Sequence, residues 1–532
     1  MSAAASASAP APGQPGVLVR VLDVIERVGN KVPHPAIMFL ALCVGVIVLS
    51  QLLYWAGVSA TYEVALPTGQ PGEYEIVTRT VSIQGLLTAD GIRFLFTSVV
   101  PTFMAFTAMG IILVVMIGVG VAERSGLIAA LIRRLVAASS AAALTYIIVF
   151  LGVISSIASD AGYLVLIPLG AAAFLSVGRH PLAGLAAAFA GVAAGFGVNF
   201  LITPTDAVLT EITNEAIALV DPTQSIDLTA NLWFGIGSTL LLTAVMGLVT
   251  ARVVEKRLGA YDPAVAPEAS DAIIQTADAG PEVDDAGERR GLLLAGLYLL
   301  VAVAIIALLT VPPGAPLRDP ETGSIIGTSP FMSSLIVIIT ILFFAAGLGY
   351  GRGAGTLRTS NQVIEAITKS WAGLAGLLLL FLLIALFIAY FNYSNMPQVA
   401  AVTLGDLIEQ ADIGSAWLLL IAILITAVIG FIIPQAIAKW ALLAPIFIPL
   451  FMRLGVEPEA VLAAYRVADS PPNIVTPIMA YFPLIVIFAA RYDRRSGIGT
   501  VIALMLPYFV VALAAWTVFY LAWYLLGLPW GI

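Results

Sequence analysis

Two polar interruptions stand inside long apolar stretches in opposite halves of the chain. The first reads Gly197-Val-Asn-Phe-Leu-Ile-Thr-Pro-Thr-Asp206, and the second reads Ser470-Pro-Pro-Asn-Ile-Val-Thr-Pro477. A membrane helix that gives up backbone hydrogen bonds exposes N–H and carbonyl groups, which is tolerated only where they are buried in protein or line a cavity. One such break in each half predicts a solute site between two repeated halves.

The composition predicts the class of protein. Hydrophobic residues make up 60% of the chain and charged residues 11%, and many apolar runs exceed the roughly 20 residues that span a bilayer. We therefore expect an all-α polytopic membrane protein in a lipid bilayer. Its net charge of −8 lies in loops and sets orientation, so no nucleic-acid partner is expected. Cys43, His34 and His180 have no neighbours at metal-ligand spacing, so no zinc site is expected either.

Two of the apolar segments are too long for a single crossing. The segments lie near residues 35–57, 99–122, 141–176, 182–215, 231–254, 291–311, 330–350, 371–393, 415–451, 458–490 and 497–528. Segments 141–176 and 415–451 each carry polar residues at mid-length, so each is predicted to be a re-entrant hairpin that dips into the membrane and returns. The predicted tip residues are Ser155, Ser156, Ser159 and Asp160 in the first hairpin and Gln435 in the second.

The basic residues favour this topology. With both hairpins re-entrant and the N-terminus inside, 18 of the 24 Lys and Arg residues fall on the cytoplasmic side, as the positive-inside rule requires. The result is nine transmembrane helices plus two hairpins that enter from opposite sides, which is typical of an inverted-repeat secondary transporter with two discontinuous helices. Leu166-Ile-Pro-Leu169 and Phe447-Ile-Pro-Leu450 repeat at matching places in the halves.

The predicted organisation has four parts. Residues 1–30 form a disordered cytoplasmic tail, and residues 255–290, rich in Ala, Asp, Glu and Pro, form a cytoplasmic linker. The first half, 31–254, contains hairpin 141–176 and broken helix 182–215. The second half, 291–528, contains hairpin 415–451 and broken helix 458–490. Residues 58–90 are expected to form a small external β-hairpin, and 126–137 an interfacial helix.

Few ionisable residues lie within the predicted membrane segments, and each is costly there. They are Asp160, Asp206, Lys439, Arg466 and Asp469. Arg466 and Asp469 are three residues apart, so one interpretation pairs them on one helix face as a structural salt bridge. In the other, Arg466 binds a substrate carboxylate bidentately, while Asp469 titrates or orients it.

The remaining ionisable residues also leave alternatives open. Asp206 follows Pro204, so it is either a helix cap or part of a coupling or substrate site. For Asp160 we favour the cap. Lys439 either snorkels or pairs with a carboxylate. Trp440 is either packed in the interior or a stacking platform for an aromatic substrate.

Neutral oxygens recur at equivalent points of the two breaks. Asn199 and Thr203 supply them in the first half, and Asn473 and Thr476 in the second. Oxygen ligands suit a hard cation, so these residues, with Asp206, are candidates for a sodium-coupling site. The alternative is that they satisfy the freed backbone groups. No metal beyond sodium and no other cofactor is expected.

At these residues the chain resembles the p-aminobenzoyl-glutamate transporter (AbgT) family. The resemblance runs from about Lys31 to the C-terminus, and its most specific pieces are Ser156-Ile-Ala-Ser-Asp-Ala-Gly-Tyr163, Asn199 to Asp206, Ala438-Lys-Trp440, Ala444-Pro-Ile-Phe447 and Tyr465-Arg-Val-Ala-Asp469. It implies a homodimer of nine-helix, two-hairpin subunits. It also implies ion-coupled import of p-aminobenzoyl-glutamate, or export of antimetabolites such as sulfonamides.

The resemblance assigns roles to individual positions. The family's functional aspartate falls on Asp206, its hairpin tryptophan on Trp440, and its arginine and aspartate on Arg466 and Asp469; its functional prolines match Pro458 and Pro477. A benzoyl ring suits Trp440, and carboxylates suit Arg466 and Lys439. The chain departs from the family at Gly430, Gln435 and Ile437, where many members carry polar residues. A proton-driven cycle through Asp206 or Asp469 therefore stays open beside a sodium-driven one.

These observations predict a secondary active transporter of the bacterial cytoplasmic membrane rather than an enzyme. The chain has no His-Glu-x-x-His pair, no Gly-x-Ser-x-Gly elbow and no nucleotide-binding loop, so no catalytic residue is assigned. Two directions are open, uptake of aromatic carboxylates or proton-driven efflux of sulfonamide-like compounds.

Overall fold

The chain folds into helices that follow the apolar segments. The computed structural model describes residues 35–67, 74–141, 143–158, 162–266, 284–326, 329–400, 402–403 and 414–532. The predicted tail 1–30, the tip residues Ser159 and Asp160, and residues 267–283 of the predicted linker lie outside these residues.

The first half begins with a helix and a two-stranded sheet. Its helices are Pro35–Trp55, Ala89–Thr97, Val99–Ala105, Thr107–Arg124, Leu127–Ala137, Leu144–Ile154, Ile167–Ser176, Pro181–Phe189, Pro204–Ile217, Leu232–Val249 and Glu255–Leu258. Short 3₁₀ turns lie at Ser155–Ala158 and Pro263–Val265, and π-helical turns at Gly162–Leu166, Ala190–Ala194 and Thr250–Val254. The antiparallel strands Ser59–Pro67 and Tyr74–Ser82 confirm the predicted β-hairpin.

The second half repeats the order of a helix pair followed by a broken helix. Its helices are Asp285–Thr310, Pro330–Ser333, Leu335–Ala354, Ser360–Gly373, Ala375–Tyr393, Ser415–Gly430, Ala436–Arg453, Pro458–Asp469, Phe482–Ala490 and Ile498–Leu525, with a 3₁₀ turn at Pro471–Ile474. We call residues 144–176 and 415–453 the first and second helix pairs. Residues 181–217 and 458–490 are the first and second broken helices.

Length and apolar composition identify eight helices of the described residues as able to cross a membrane. They include Ala436–Arg453, which belongs to the second helix pair, and they omit both broken helices. A count of nine follows if each broken helix is one span and Ala436–Arg453 is one arm of a hairpin. Length alone does not decide this, so the nine-helix, two-hairpin topology stays a prediction.

Small residues let the first broken helix pack closely against the first helix pair. Residues 181–195 are all buried. A Cβ atom on Gly184 would lie 2.2 Å from the Gly170 carbonyl oxygen, and one on Gly152 would lie 2.7 Å from the Gly191 Cα. Such contacts between backbones are the usual way in which membrane helices associate. They place the tip of the first helix pair beside the first break.

Each break is built by proline. Pro204 opens the helix Pro204–Ile217 at its first position, where its missing N–H costs nothing. Pro471 and Pro472 end the helix Pro458–Asp469 in a 3₁₀ turn. Residues 460–476 are all buried, so the second break lies in the interior, where its freed backbone groups require partners.

The predicted interfacial helix is present at Leu127–Ala137. Arg133 and Arg134 both bind Glu288, at 2.8 and 2.9 Å, near the start of the helix Asp285–Thr310. A second amphipathic helix, Ser360–Gly373, was not predicted. Thr359 and Gln362 form a capping box at its start, and that pattern was readable in the sequence.

Candidate functional site

A mostly buried ion pair, with the Arg466 and Asp206 side chains 6% and 17% exposed, joins the two halves of the chain. Arg466, in the second broken helix, lies 2.5 Å from Asp206 at the first break, measured from Nη1 to Oδ1. The same guanidinium donates to the Gly197 carbonyl oxygen at 3.0 Å and to the Asn231 side-chain oxygen at 3.1 Å. Gly197 also donates from its backbone to the Ser470 hydroxyl at 2.9 Å. The first break therefore docks on the end of the helix Pro458–Asp469.

Asp206 also serves the helix that follows it. Thr203 is the cap residue of Pro204–Ile217, and Asp206 is the third residue of a capping box. Its Oδ2 accepts from the Thr203 backbone N–H at 2.7 Å and from the Thr203 hydroxyl at 2.8 Å. The structure thus confirms the helix-cap interpretation of Asp206, because one oxygen stabilises the helix start, and the other oxygen faces Arg466. A coupling or substrate role for Asp206 stays a prediction.

A second ion pair lies within the second half. The Lys439 ammonium lies 3.0 Å from Asp469 Oδ1, and the two side chains are 0% and 2% exposed. The angle is not that of a hydrogen bond, so Lys439 Nζ has charge contact but no hydrogen-bond partner among the described residues. Lys439 therefore pairs with a carboxylate rather than snorkelling.

The interpretation in which Arg466 and Asp469 pair with each other is wrong. Each has its closest opposite charge on another element, Asp206 for Arg466 and Lys439 for Asp469. Helical spacing allowed the local pair, but pairing across elements leaves none of these four buried charges without a counter-charge. The ion pairs thus bind the second broken helix to the first break and to the second helix pair.

Trp440 is packed in the interior. Its side chain is fully buried, its indole N–H donates to the Thr213 hydroxyl at 2.9 Å, and its ring centroid lies 4.5 Å from that of Tyr465. The indole ring of Trp440 is therefore enclosed by protein. In this conformation Trp440 does not present a face to a solute.

The neutral residues mostly hold the breaks to the tips of the helix pairs. Asn199 donates to the Ile154 carbonyl and to the Ser156 hydroxyl, at 3.1 and 2.9 Å. Thr476 makes the equivalent bond in the other half, to the Phe431 carbonyl at 3.2 Å. These contacts favour the alternative in which side chains satisfy the freed backbone.

Asn473 differs from these residues. Its side-chain oxygen is buried and has no hydrogen-bond partner in the described part of the chain, and the residue lines a cavity of about 480 Å³. A buried amide oxygen without a partner is costly, so this atom is available to a ligand.

Both predicted tips border that cavity. Ser156 lines it from the first helix pair and Gln435 from the second, while Tyr163 and Tyr481 stack at 4.4 Å in its wall. Ser155 bonds back to the Gly152 carbonyl at 2.6 Å. Pro477 lies in the second break and is partly exposed. A volume of this size suits a small organic ligand.

Asn199 lines a smaller cavity. It measures about 20 Å³ and is lined by Asn199, Asp206, Asn231 and Arg466, among others. That is room for about one water molecule. The Asn199–Ser156 hydrogen bond joins a residue that lines the small cavity to a residue that lines the large one.

Sequence reasoning missed three contributors to the site. Asn231 holds Arg466, Thr213 holds Trp440, and the Tyr465 hydroxyl lies 3.0 Å from Asp469. Tyr465 was visible as the residue before Arg466, and a buried phenol needs a polar partner. Asn231 and Thr213 lie far along the chain from the residues they bind, so no local pattern marked them.

The arrangement holds a guanidinium and an ammonium in the interior, each paired with a carboxylate of the chain. Within the described residues no cluster of three His, Cys, Asp or Glu side chains is placed to hold a metal ion. The oxygens proposed for sodium are largely bonded to protein, and sodium binding stays a prediction.

Comparison with known proteins agrees with this picture. The sequence model of the AbgT putative transporter family matches residues 20–532. The p-aminobenzoyl-glutamate transport protein of Escherichia coli strain K12 is 35% identical over 508 residues, which cover 95% of both chains.

Two solved structures share the fold. The YdaH transporter of Alcanivorax borkumensis, described as having an unusual topology, is 40% identical with a TM-score of 0.85, covering 94% of this chain and all of that one. MtrF of Neisseria gonorrhoeae, described as illuminating a class of antimetabolite efflux pumps, is 37% identical with a TM-score of 0.85, over 95% and 97% of the two chains.

Proposed function

Since the chain belongs to the AbgT transporter family, a family of multi-pass membrane transporters and not of enzymes, we propose that it is an ion-coupled secondary active transporter. Its proposed solutes are p-aminobenzoyl-glutamate and related aromatic carboxylates, moved across the bacterial cytoplasmic membrane. The E. coli relative, named for p-aminobenzoyl-glutamate transport, supports this choice of solute.

The observation that carries the proposal is the buried Arg466–Asp206 pair between the halves. A guanidinium binds carboxylates with two parallel hydrogen bonds, and here it already holds an internal carboxylate at the rim of a cavity. A solute carboxylate can exchange with Asp206 on the same guanidinium. This exchange would release the first break from the second broken helix.

The large cavity suits the rest of the solute. Its wall is mainly apolar, with the stacked Tyr163 and Tyr481 rings and the free Asn473 amide oxygen. An aromatic ring gains from burial against such residues, and an aniline or amide N–H can donate to Asn473.

The architecture proposed for this activity is alternating access. The helix pairs act as re-entrant hairpins that enter from opposite sides of a nine-helix subunit whose N-terminus is inside. The tips and the breaks move together because Asn199 and Thr476 bond them. We further propose a homodimer, as in the family that the chain resembles.

The coupling ion in this proposal is sodium or the proton. A sodium ion would use the Asn473 amide oxygen, which has no partner among the described residues, and oxygens of Asn199, Thr203, Asp206 and Thr476 after their present bonds open. Asp206 and Asp469 are the candidates for a proton.

Efflux is the second candidate function. It is supported by the likeness to MtrF, described among antimetabolite efflux pumps, and the inverted arrangement of repeats works in either direction. Expression in a pump-deficient host would then raise resistance to sulfonamides. Unchanged sensitivity would remove this candidate.

Uptake by whole cells tests the main proposal. Cells that produce the protein are expected to accumulate radiolabelled p-aminobenzoyl-glutamate, and Arg466→Ala is expected to abolish this because the carboxylate loses its guanidinium. Arg352→Ala is the matched control, since Arg352 is exposed and its guanidinium donates to the Tyr298 hydroxyl, at 3.3 Å, away from the Arg466–Asp206 pair. Unaltered uptake in Arg466→Ala would remove Arg466 from the solute site.

A further inference from the structure

The large cavity, of about 480 Å³, has an uncharged wall. Its apolar residues include Phe196 and Met479, and its polar residues include Ser156, Gln435 and Asn473. No Asp, Glu, Lys, Arg or His belongs to the described residues that line it. A charged group that entered from water would lose its solvation without gaining a counter-charge. The cavity therefore suits an uncharged part of a solute, whereas the carboxylates of that solute bind elsewhere.

Two tyrosine rings from opposite halves of the chain stack in this wall. Tyr163 belongs to the first helix pair, and Tyr481 belongs to the second broken helix. Their ring centroids are 4.4 Å apart, and the ring planes differ by 12°. Tyr163 is buried and Tyr481 is half-buried. Stacked rings offer a flat π-surface that a further aromatic ring can extend, and a ring that packs against both tyrosines contacts both halves at once.

The surrounding backbone positions both rings before a solute binds. Tyr163 lies in the π-helical turn Gly162–Leu166, and single π-turns are frequent at functional sites. Tyr481 directly precedes the helix that starts at Phe482. Phe482 packs edge-to-face on Phe189 of the first broken helix, with the ring centroids 6.2 Å apart. The first half therefore holds this end of the second broken helix at two places, so the stack is preorganised for a solute.

We propose that the Tyr163–Tyr481 stack is the element that selects aromatic solutes, because an aryl ring in the large cavity packs in parallel against it. This inference rests on the transport function proposed above and deepens it. The solute class is a carboxylate joined to an uncharged aryl group, with or without an amino substituent on the ring. A saturated ring of the same size would bury a similar apolar area, but it has no π-face to align with the stack.

The tyrosine pair also differs from Trp440, the residue from which the sequence suggested aromatic stacking. The Trp440 ring is fully buried, with its N–H on Thr213 and its face near Tyr465. It does not belong to the described residues that line the large cavity. In this conformation the stacked tyrosines, and not Trp440, offer an aromatic surface to a solute.

Competition in an uptake assay tests the inference. Liposomes that contain the full-length protein would take up radiolabelled p-aminobenzoyl-glutamate in the presence of benzoyl-glutamate or cyclohexanecarbonyl-glutamate. These two competitors carry the same carboxylates, lack the amino group, and differ in whether the ring is aromatic. Benzoyl-glutamate is expected to inhibit uptake at about fivefold lower concentration, which is the typical gain of an aromatic pair over burial alone.

Variants of Tyr481 assign this preference to the stack. In Tyr481→Leu the two competitors should inhibit at nearly equal concentrations, whereas Tyr481→Phe keeps the ring and should keep the fivefold difference. Tyr393→Leu is the matched control. Tyr393 stacks on Phe94 with the same centroid distance of 4.4 Å, but neither ring belongs to the described residues that line the large cavity. This variant should also keep the fivefold difference.

Equal inhibition by the two competitors in the wild type would overturn the inference, as would a fivefold difference that survives in Tyr481→Leu. Thermal stabilisation of the purified wild-type protein by each compound measures the same preference without transport and without a variant. Absence of uptake under every ion gradient would overturn the proposed transport function. A larger thermal shift with benzoyl-glutamate would then still support the inference, and equal shifts would overturn it.

Discussion

The two buried ion pairs of this protein differ in how completely they are satisfied. Arg466 and Asp206 share hydrogen bonds with Asn231, Gly197 and Thr203, and they border a small cavity. Lys439 and Asp469 are shut off from solvent, and the ammonium lacks a hydrogen bond to any described residue. The first pair is thus a hydrogen-bonded joint between the halves. In the second pair Asp469 also accepts from Tyr465, but the Lys439 ammonium depends on its charge contact with Asp469.

The largest effect should come from breaking the less satisfied pair. Lys439→Met leaves Asp469 buried without a cation, and we expect the free energy of unfolding to fall by about 3–5 kcal/mol. Asp206→Asn should cost less, because Arg466 keeps Gly197 and Asn231 and can gain a water molecule. Thermal denaturation of the two purified variants in detergent compares them.

A double variant sharpens this prediction. Lys439→Met with Asp469→Leu removes both charges and should recover most of the lost stability, because an apolar pair needs no solvation. It should not transport the solute. If Lys439→Met were no less stable than Asp206→Asn, the two pairs would not differ as described.

A variant of Asn231 tests the Arg466–Asp206 pair, which has the larger number of hydrogen-bond partners. The Asn231 side-chain oxygen accepts from Arg466, and its amide donates to the Glu459 carbonyl at 3.0 Å. Asn231→Ala should raise the KM for solute uptake about tenfold, since a lost hydrogen bond to a charged group is worth about 1.5 kcal/mol.

Asn214 provides the matched control for Asn231. Its amide bonds both the N–H and the carbonyl of Ile226, at 2.8 and 3.0 Å, in the same connecting loop, and it does not bond Arg466. Asn214→Ala should therefore disturb the loop without the same change in KM. Equal changes in both variants would mean that loop structure, rather than the Arg466 contact, sets the KM.

Variants of Trp440, the residue next to Lys439, distinguish a packing role from a role in solute binding. Trp440→Phe and Thr213→Val each remove the same hydrogen bond, so each should lower the free energy of unfolding by about 1 kcal/mol. Their effects on uptake should also match. A raised KM in Trp440→Phe alone would show that the ring contacts the solute during the cycle.

The smallest effect concerns a site far from both pairs. His180 Nδ1 accepts from the Leu182 backbone at the start of the first broken helix, at 3.2 Å. Burial lowers the pKa of His180 below its usual 6.5, and Asp493 opposes this. Because the unfolded chain then takes up a proton at higher pH than the folded one, stability should fall as the pH drops below about 6.5.

His180→Asn checks this pH dependence. Asparagine is also a good cap residue but does not titrate, so the variant should lose the acid-induced fall of about 1 kcal/mol or less. Thermal unfolding at about pH 7 and about pH 5 provides the comparison. Parallel behaviour of the variant and the wild type would contradict the assignment of this fall to His180.

The residues that form the site were predictable from the sequence, whereas the way in which its charged residues pair was not. Proline and polar residues inside apolar runs located both breaks, and Asp206, Lys439, Arg466 and Asp469 stood out because charges are rare in such runs. Their partners depend on contacts between residues up to 260 positions apart. Helical spacing suggested that Arg466 pairs with Asp469. Only the packed fold brings Asp206 closer to Arg466, and Lys439 closer to Asp469.

The same limit explains the residues that were missed. Thr213 and Asn231 look like ordinary polar residues of a helix and a loop until Trp440 and Arg466 are packed against them. The burial of Trp440 likewise follows from its tertiary neighbours, Thr213 and Tyr465, and not from its position near a tip.

Solute accumulation in liposomes tests the central claim most directly. The purified protein would be given radiolabelled p-aminobenzoyl-glutamate under an inward proton gradient, an inward sodium gradient, or neither. Ion-coupled transport predicts accumulation above the external concentration with an inward gradient of the coupling ion, and the gradient that drives it identifies that ion. Equilibration to the same level with and without gradients would show a passive pathway and contradict the account.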